Sequence, residues 1–523
     1  MNMSPHAATF PQAKSRSVAC PRTGHVLLQV RHRVASRSFG FRVRLLIAAI
    51  VAALGMLAMA RVPFARSAVT ARSSARAAAG SDALGRGLLA AVRSVKFDQV
   101  IDFGPEGTCP GATFCAFPAP RIAQTPNVDV AVIELDPNGQ PIDAADVLLS
   151  RDYPDGVLVP IDRDLGTTAV RFLRWNINRW NGGTFSTTTG RQLTREGWAN
   201  DPPLTAADDI VPGREHAPLR FMEPYPASLF KLMIAFQTLR LIDRGVLQLD
   251  GRYTYVPVAA PCLGASPKTE TNRQWLQAMI TYSDDGSACT LVQQLQHLGQ
   301  IAAMNEEFRA LGLATLQVND TDPASGGNWQ PGDIDMTSLD TARLLLIING
   351  APEVLWRAPD GQPVTANLLS SSSRTFLNSL LAQQGFNDEL STTNWCGLPY
   401  PATGIPQLVG ARWINPRTGT VTVAGKSYGR NVRPCNAAAQ VTFAHKTGFS
   451  YNYASDAGIV QSLPGRPYRH YIVLFISNLG YRYSDPQLAG ADTLPCFGVP
   501  GICYTQKIAQ LGHGIDTLLT TPT

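Results

Sequence analysis

PASLFKLMIAFQTLRLIDRG, residues 226–245, is apolar at helical spacing and stops at glycine, which predicts a helix over Ala227–Arg244. Ser228 and Lys231 stand three apart near its start, so the lysine lies one turn beyond the serine on the same face. A serine hydroxyl is a weak nucleophile until a neighbouring base takes its proton. The first turn of a helix also offers free N–H groups and the positive end of the dipole to a developing oxyanion. Alone, Ser-x-x-Lys is a common pattern.

Two further triplets give it a context. Ser283-Asp284-Asp285, within MITYSDDGSACTLVQQL, falls in a short polar loop between predicted helices Arg273–Ile280 and Ala288–Leu298. Lys446-Thr447-Gly448 ends a predicted strand, Gln440–His445, within FAHKTGFS. Other strands are expected at Ala457–Ser462, at His470–Asn478, and from Asn127 in NVDVAVIEL, which the turn Asp136-Pro137-Asn138-Gly139 closes. Helices are expected at Ser338–Asn349, opened by a capping-box pattern Thr337-Ser338-Leu339-Asp340, at Ser370–Gln384 and at Tyr504–Leu519. Strands at both ends with helices between them imply one sheet built from both termini.

Ser-x-x-Lys, then Ser-Asp-Asp, then Lys-Thr-Gly, in this order and these contexts, resembles the serine β-lactamases and penicillin-binding proteins, and is most similar to the class A β-lactamases. PGDIDMTSLDTARLLL at 331–346 matches in order as well. The resemblance covers roughly residues 125–523, with insertions at about 150–218 and 350–440. It implies an α/β fold of the α+β type: a five-stranded antiparallel sheet flanked by helices, beside a mainly helical lobe, with the site between. Carried over by position, Ser228 attacks the carbonyl and Lys231 helps remove its proton. Ser283 relays a proton to the leaving nitrogen. Lys446 and Thr447 hold the substrate carboxylate beside Gly448, and the N–H groups of Ser228 and Phe449 form the oxyanion hole. A second ammonium at Lys446 would depress the pKa of Lys231.

Two departures from the family pattern bear on turnover. Asp285 stands where the family has asparagine; an ionised carboxylate cannot donate to a substrate carbonyl, but it can pair with Lys231. Class A enzymes also use a loop glutamate for deacylation, and no glutamate occurs between Phe308 and Pro352. Asp322, in Thr321-Asp322-Pro323 with Asn328 following, is the best match; its side chain is one methylene shorter. A turn-forming aspartate before proline is an equal reading of it. Cys289 replaces a bracing asparagine, which suggests a disulfide in that role. Asp456 fits the family pattern as a structural residue, and His445 reads as a packed strand residue.

The 523-residue chain, 45% hydrophobic, is long enough for a sizeable core. Residues 1–61 hold nine basic residues and no acid, and 45–60 form an uncharged run, LLIAAIVAALGMLAMA. That pattern predicts a signal peptide or signal anchor. With those nine set aside, the formal charge changes from +6 to −3, 36 basic against 39 acidic residues, so nothing favours nucleic acid. Residues 62–124 read as linker and cysteine-containing segment, the part to 90 as a mobile spacer. Eight cysteines follow the apolar run, and Cys109/Cys115 and Cys496/Cys503 are close enough to bridge locally. Arginine interleaved with tryptophan in RFLRWNINRWNGGTF, 171–185, reads as insertion packing rather than glycan or nucleic-acid binding.

The expectation is an exported, monomeric serine hydrolase without metal or cofactor, acting on a β-lactam or a peptidoglycan-derived small substrate. It would be membrane-anchored or secreted, and would hydrolyse its acyl-enzyme in the class A manner. The alternatives are a D,D-peptidase or penicillin-binding protein that deacylates slowly, and a cell-wall-binding or sensing module that has lost turnover.

Overall fold

The structure is a computed structural model that describes residues 83–102, 122, 124–180, 185–186, 191–192, 204–257, 262, 265–384, 389–391, 403–423, 426–450, 452–480, 483–484, 495–496, 499–500 and 505–520. Its centre is an antiparallel sheet made from both halves of the chain. Strands β1 (Val128–Leu135), β2 (Pro141–Leu149) and β3 (Val157–Leu158) come from the first half, and β4 (Val441–Phe449), β5 (Ala454–Ser462) and β6 (His470–Ser477) from the second. The order is β4-β5-β6-β1-β2-β3, and the halves join where Phe475 lies opposite Val130. The expected five strands are present, with two-residue β3 added at one edge.

Every residue of β6 is buried, so its sequence HYIVLFIS shows no polar alternation: both faces are covered. On one face Phe97 stacks on Phe475 at 5.9 Å, and Tyr471 donates to Asp516 at 3.0 Å. Asp516 belongs to the C-terminal helix Thr505–Leu518. Residues 83–95 form helix α1, whose Leu84, Leu88, Val92 and Val95 enter the same core. The spacer reading of 62–90 therefore fails over its described part: leucines and valines at helical spacing supply a face the sheet buries. The other face takes a helix at Ser338–Asn349.

That helix starts differently from the expectation. Thr337 makes no capping bond, and Asp340 instead accepts from Thr315 N–H at 3.1 Å and its hydroxyl at 2.6 Å. Asp129 of β1 accepts from Ser338 N–H at 2.7 Å, and the Ser338 hydroxyl donates to Asp129 O at 2.9 Å. The strand supplies the cap that the local pattern promised from within, and so ties helix to sheet. The other expected helices and strands lie within a few residues of their expected bounds, while the helix Gln300–Ala310 has no counterpart among them. Helices α2 (Lys231–Asp243), α3 (Asn272–Thr281), α4 (Asp285–His297), α5 (Gln300–Ala310), α6 (Ser338–Asn349) and α7 (Ser371–Leu381) form in order, with a 3₁₀ turn, Ala227–Phe230, leading into α2.

The Arg/Trp insertion packs. Trp175 and Trp180 are buried with ring centroids 5.9 Å apart, and Trp175 meets Tyr453 edge to face. Arg171 pairs with Asp209 at 2.6 Å, Arg179 with Asp208 at 3.4 Å and Arg174 with Asp335, so the charges are satisfied inside the fold. In the later insertion, Val409, Trp413, Val421 and Val432 form a small core of their own against Tyr282. No described helix is long and apolar enough to cross a membrane. The 45–60 run lies outside the described residues, as do the side chains of the Cys109/Cys115 and Cys496/Cys503 pairs.

Asp129, Asp146 of β2 and Glu223 are wholly buried together; burial raises all three carboxyls above their usual range, and Asp129 repels the other two. A carboxyl protonated in the fold but ionised in the unfolded chain stabilises the fold at low pH and loses that contribution as pH rises above its unfolded value. Glu223→Gln cannot ionise, so its melting temperature relative to wild type should increase as pH rises above about 4.5, measured by calorimetry.

Candidate active site

The turn Pro226–Phe230 is where the helical lobe meets the sheet. Ala227, Leu229 and Phe230 are buried and Ser228 between them is partly exposed, so only the serine faces outward. Ala227 has φ +49°, a left-handed conformation that costs a non-glycine residue on the order of 1–3 kcal/mol and persists only under tertiary constraint. Gly448 of β4 supplies part of that constraint. A Cβ there would lie 2.5 Å from Pro226 O and 2.7 Å from Ser228 N, so only glycine lets the strand approach this closely. Ser455 on neighbouring β5 donates to Pro226 O at 2.6 Å and to Gly448 O at 3.1 Å, stitching turn and strand together.

Ser283 is the meeting point of the three motifs. It too is left-handed, φ +55°. Lys446 Nζ donates to its Oγ at 2.8 Å and to Thr447 O at 2.6 Å. Lys231 Nζ approaches the same Oγ at 3.3 Å, and donates to Ser283 O at 2.7 Å and to Asp285 Oδ1 at 2.6 Å. Both lysine side chains are buried. Burial depresses Lys446 well below the ordinary range, and Lys231 beside it pushes the same way; Asp285, Asp456 and Glu389 oppose this. Burial also lowers Lys231, against the pull of Asp285 and Asp284. Two amines of depressed basicity thus flank one hydroxyl, an arrangement able to pass protons between them.

The Lys231–Asp285 pairing anticipated from the sequence is present, and the Asp285 side chain remains 48% exposed at the mouth of the site. Thr447 Oγ1 accepts from the buried Gln384 side chain at 2.7 Å, which fixes the hydroxyl of the third motif. Phe449 ends β4, opposite Ala454. His445 is buried, stacked 4.1 Å from Phe443, with Nδ1 2.7 Å from Asp456 Oδ1: the packed strand residue expected.

Asp322 does not join the cluster by any hydrogen bond. Its carboxylate accepts from Ala324 N–H at 2.9 Å and Ser325 Oγ at 2.7 Å, and those bonds hold it below its usual range. Its own backbone closes the turn with Gly326 and Gly327. The loop delivers Trp329 instead, whose ring meets Phe230 at a tilt with centroids 4.9 Å apart, next to the Ser228 turn, with Lys231 Nζ 6.0 Å from its centroid. Trp329, Gln384 and Ser455 are site residues that sequence reasoning missed, because each acts across the fold and none belongs to a motif. The Cys262–Cys289 disulfide lies under this loop: a Cβ on Gly327 would come 2.9 Å from Cys262 Sγ. Cys435 is also disulfide-bonded.

Fold and site agree with the resemblance to the penicillin-recognising serine hydrolases, and comparison with known proteins points the same way. Residues 222–401, about a third of the chain, match the profile of the β-lactamase enzyme family. The match spans the first two motifs; Lys446 lies beyond it. Similar solved structures include a penicillin-binding protein, PBP-A, at 19% identity, covering 55% of this chain and 80% of that one with a TM-score of 0.33. A β-lactamase from Chitinophaga pinensis is 17% identical over 56% of this chain and 84% of its own, TM-score 0.33. A class A β-lactamase representative from Bacteroides cellulosilyticus is 15% identical over 76% and 93%, TM-score 0.35. No curated protein matches the chain in sequence.

The disulfide closes 27 residues of chain, a constraint worth about 3.5 kcal/mol in the chain-entropy account. Cys262→Ala/Cys289→Ala should therefore lower unfolding free energy by about that amount in urea titrations.

Proposed function

We propose that this chain is a serine hydrolase of the class A β-lactamase type, in which Ser228 opens a β-lactam amide to form an acyl-enzyme. The observation that carries the reading is the Ser283 hydroxyl held 2.8 Å from Lys446 Nζ and 3.3 Å from Lys231 Nζ, with the partly exposed Ser228 in the turn that leads into Lys231. In this scheme Lys231 takes the Ser228 proton as Oγ attacks the carbonyl carbon. Ser283 gives its proton to the departing ring nitrogen and is resupplied by Lys446. Thr447, braced by Gln384, and Lys446 bind the substrate carboxylate, and the N–H groups of Ser228 and Phe449 receive the oxyanion. Gly448 lets the strand lie close enough for this. An extracytoplasmic location agrees with the disulfide.

A second reading, a D,D-peptidase or penicillin-binding protein that releases its acyl group slowly, is favoured by one observation. The Asp322 carboxylate is occupied by Ala324 and Ser325, which leaves it poorly disposed to activate water.

Intact-protein mass spectrometry after adding benzylpenicillin separates the two. A transient adduct with accumulating product supports the β-lactamase, a lasting one the slow enzyme, and an adduct on Ser228→Ala refutes both. Asp322→Ala is expected to leave the lifetime of the wild-type adduct within about twofold, since its carboxylate serves the turn. A tenfold longer lifetime would make it the deacylation base.

Asp285→Asn removes the acid that holds Lys231 protonated. More Lys231 is then neutral at any given pH, so the acid limb of the acylation rate against pH should move to lower pH. Stopped-flow acylation by a chromogenic cephalosporin reads this directly.

A further inference from the structure

Beside the second motif lies a cavity of about 780 Å³, of the size that holds a small ligand. Its walls include Trp275, Tyr282, Trp413, Lys268 and Arg412. Tyr282 and Asp284, the residues on either side of Ser283, both line it, so it begins within one residue of the reacting cluster. A second tie exists at the other rim. Arg412 donates to Gln383, whose neighbour Gln384 holds the Thr447 hydroxyl. The guanidinium is also fixed from below: it lies 4.2 Å from the Trp413 ring centroid and donates to Tyr282 OH at 2.7 Å.

The charge of this cavity is lopsided. Arg412 has no acidic partner among the described residues, and Lys268, largely exposed over the Trp275 ring at 5.5 Å, pairs at 2.9 Å with the half-buried Glu270 of the same strand, which does not line the cavity. The one carboxylate in the lining, Asp284, is committed to the start of α4, accepting from Ser287 N–H at 2.6 Å and its hydroxyl at 2.5 Å. Two cations over aromatic walls, with the local acid already engaged, recognise an anion carried on a flat ring.

We propose that this cavity is a subsite for a carboxylate-bearing aromatic group on the side chain of the substrate, held by Arg412 and Lys268. The proposal rests on Ser228 being the acylated residue. It selects among substrates by a second negative charge, distinct from the carboxylate that Lys446 and Thr447 receive.

The test compares a penicillin carrying a 4-carboxybenzoyl side chain with its side-chain methyl ester, by second-order acylation rate. Wild type should prefer the acid. Arg412→Ala and Lys268→Ala should each slow acylation by the acid about tenfold, the effect of losing about 1.4 kcal/mol, and change the ester less than twofold. Lys268 is largely exposed, so its variant reports even where Arg412→Ala does not fold. Equal effects on acid and ester, or none, overturn the subsite. Should neither penicillin label wild-type protein, the reading of Ser228 fails, and the subsite is judged separately by titrating 4-carbamoylbenzoate against tryptophan fluorescence. Saturable quenching that disappears in Lys268→Ala sustains it; quenching that never saturates, or survives both variants, refutes it.

Discussion

The contact between Gly448 and the Pro226–Ser228 turn is the constraint on which the site depends. Backbone meets backbone there with no room for a Cβ, and Ser455 bonds to both sides. The contact joins the end of a strand from the C-terminal half to the start of a helix from the middle of the chain. It also holds Ala227 in a left-handed conformation that nothing local favours. Once turn and strand are in register, Lys231 and Lys446 have little choice but to converge, since Lys446 is two residues and Lys231 three residues from the contact. The loop at Ser283 then receives both amines.

Burying two ammonium groups around one hydroxyl is unfavourable unless their charge is reduced or balanced. The structure uses both remedies. Asp285 sits directly on Lys231, and Asp456 and Glu389 act on Lys446 from further away, while desolvation lowers the basicity of both lysines. The aspartate in the place of the family's asparagine thus has a structural effect: it compensates a buried cation. The same carboxylate has no hydrogen to offer an acyl-amide oxygen, so balance inside the site is bought with a donor lost at its mouth.

Much of this was legible in the sequence because the three motifs are local patterns whose elements formed where periodicity placed them. The Ser228 helix, the Ser283 loop and the Lys446 strand lie as the pattern requires, and the sheet joins both ends of the chain. What was not legible depends on contacts between distant residues. Gln384 reaches Thr447 from the end of α7, and Trp329 reaches Phe230 from a loop whose aspartate had drawn attention instead. Thr337 and Asp340 read as a cap, yet Asp129, more than two hundred residues away, took that role because a buried strand carboxyl was better placed. The helix at 83–95 begins inside the 62–90 stretch that reads as spacer, because alanine, serine and glycine around it conceal a short apolar stripe.

The junction of β6 with β1 also governs when this protein can become active. Its central strand pair joins residues more than three hundred positions apart, a separation that makes closure slow relative to local helix formation. Ser228, Lys231 and Ser283 emerge from the ribosome long before Lys446, and β1 and β2 wait as an incomplete sheet with a bare edge. The serine is therefore made well ahead of the lysine that meets Ser283, and the cluster is complete only when the last strands arrive.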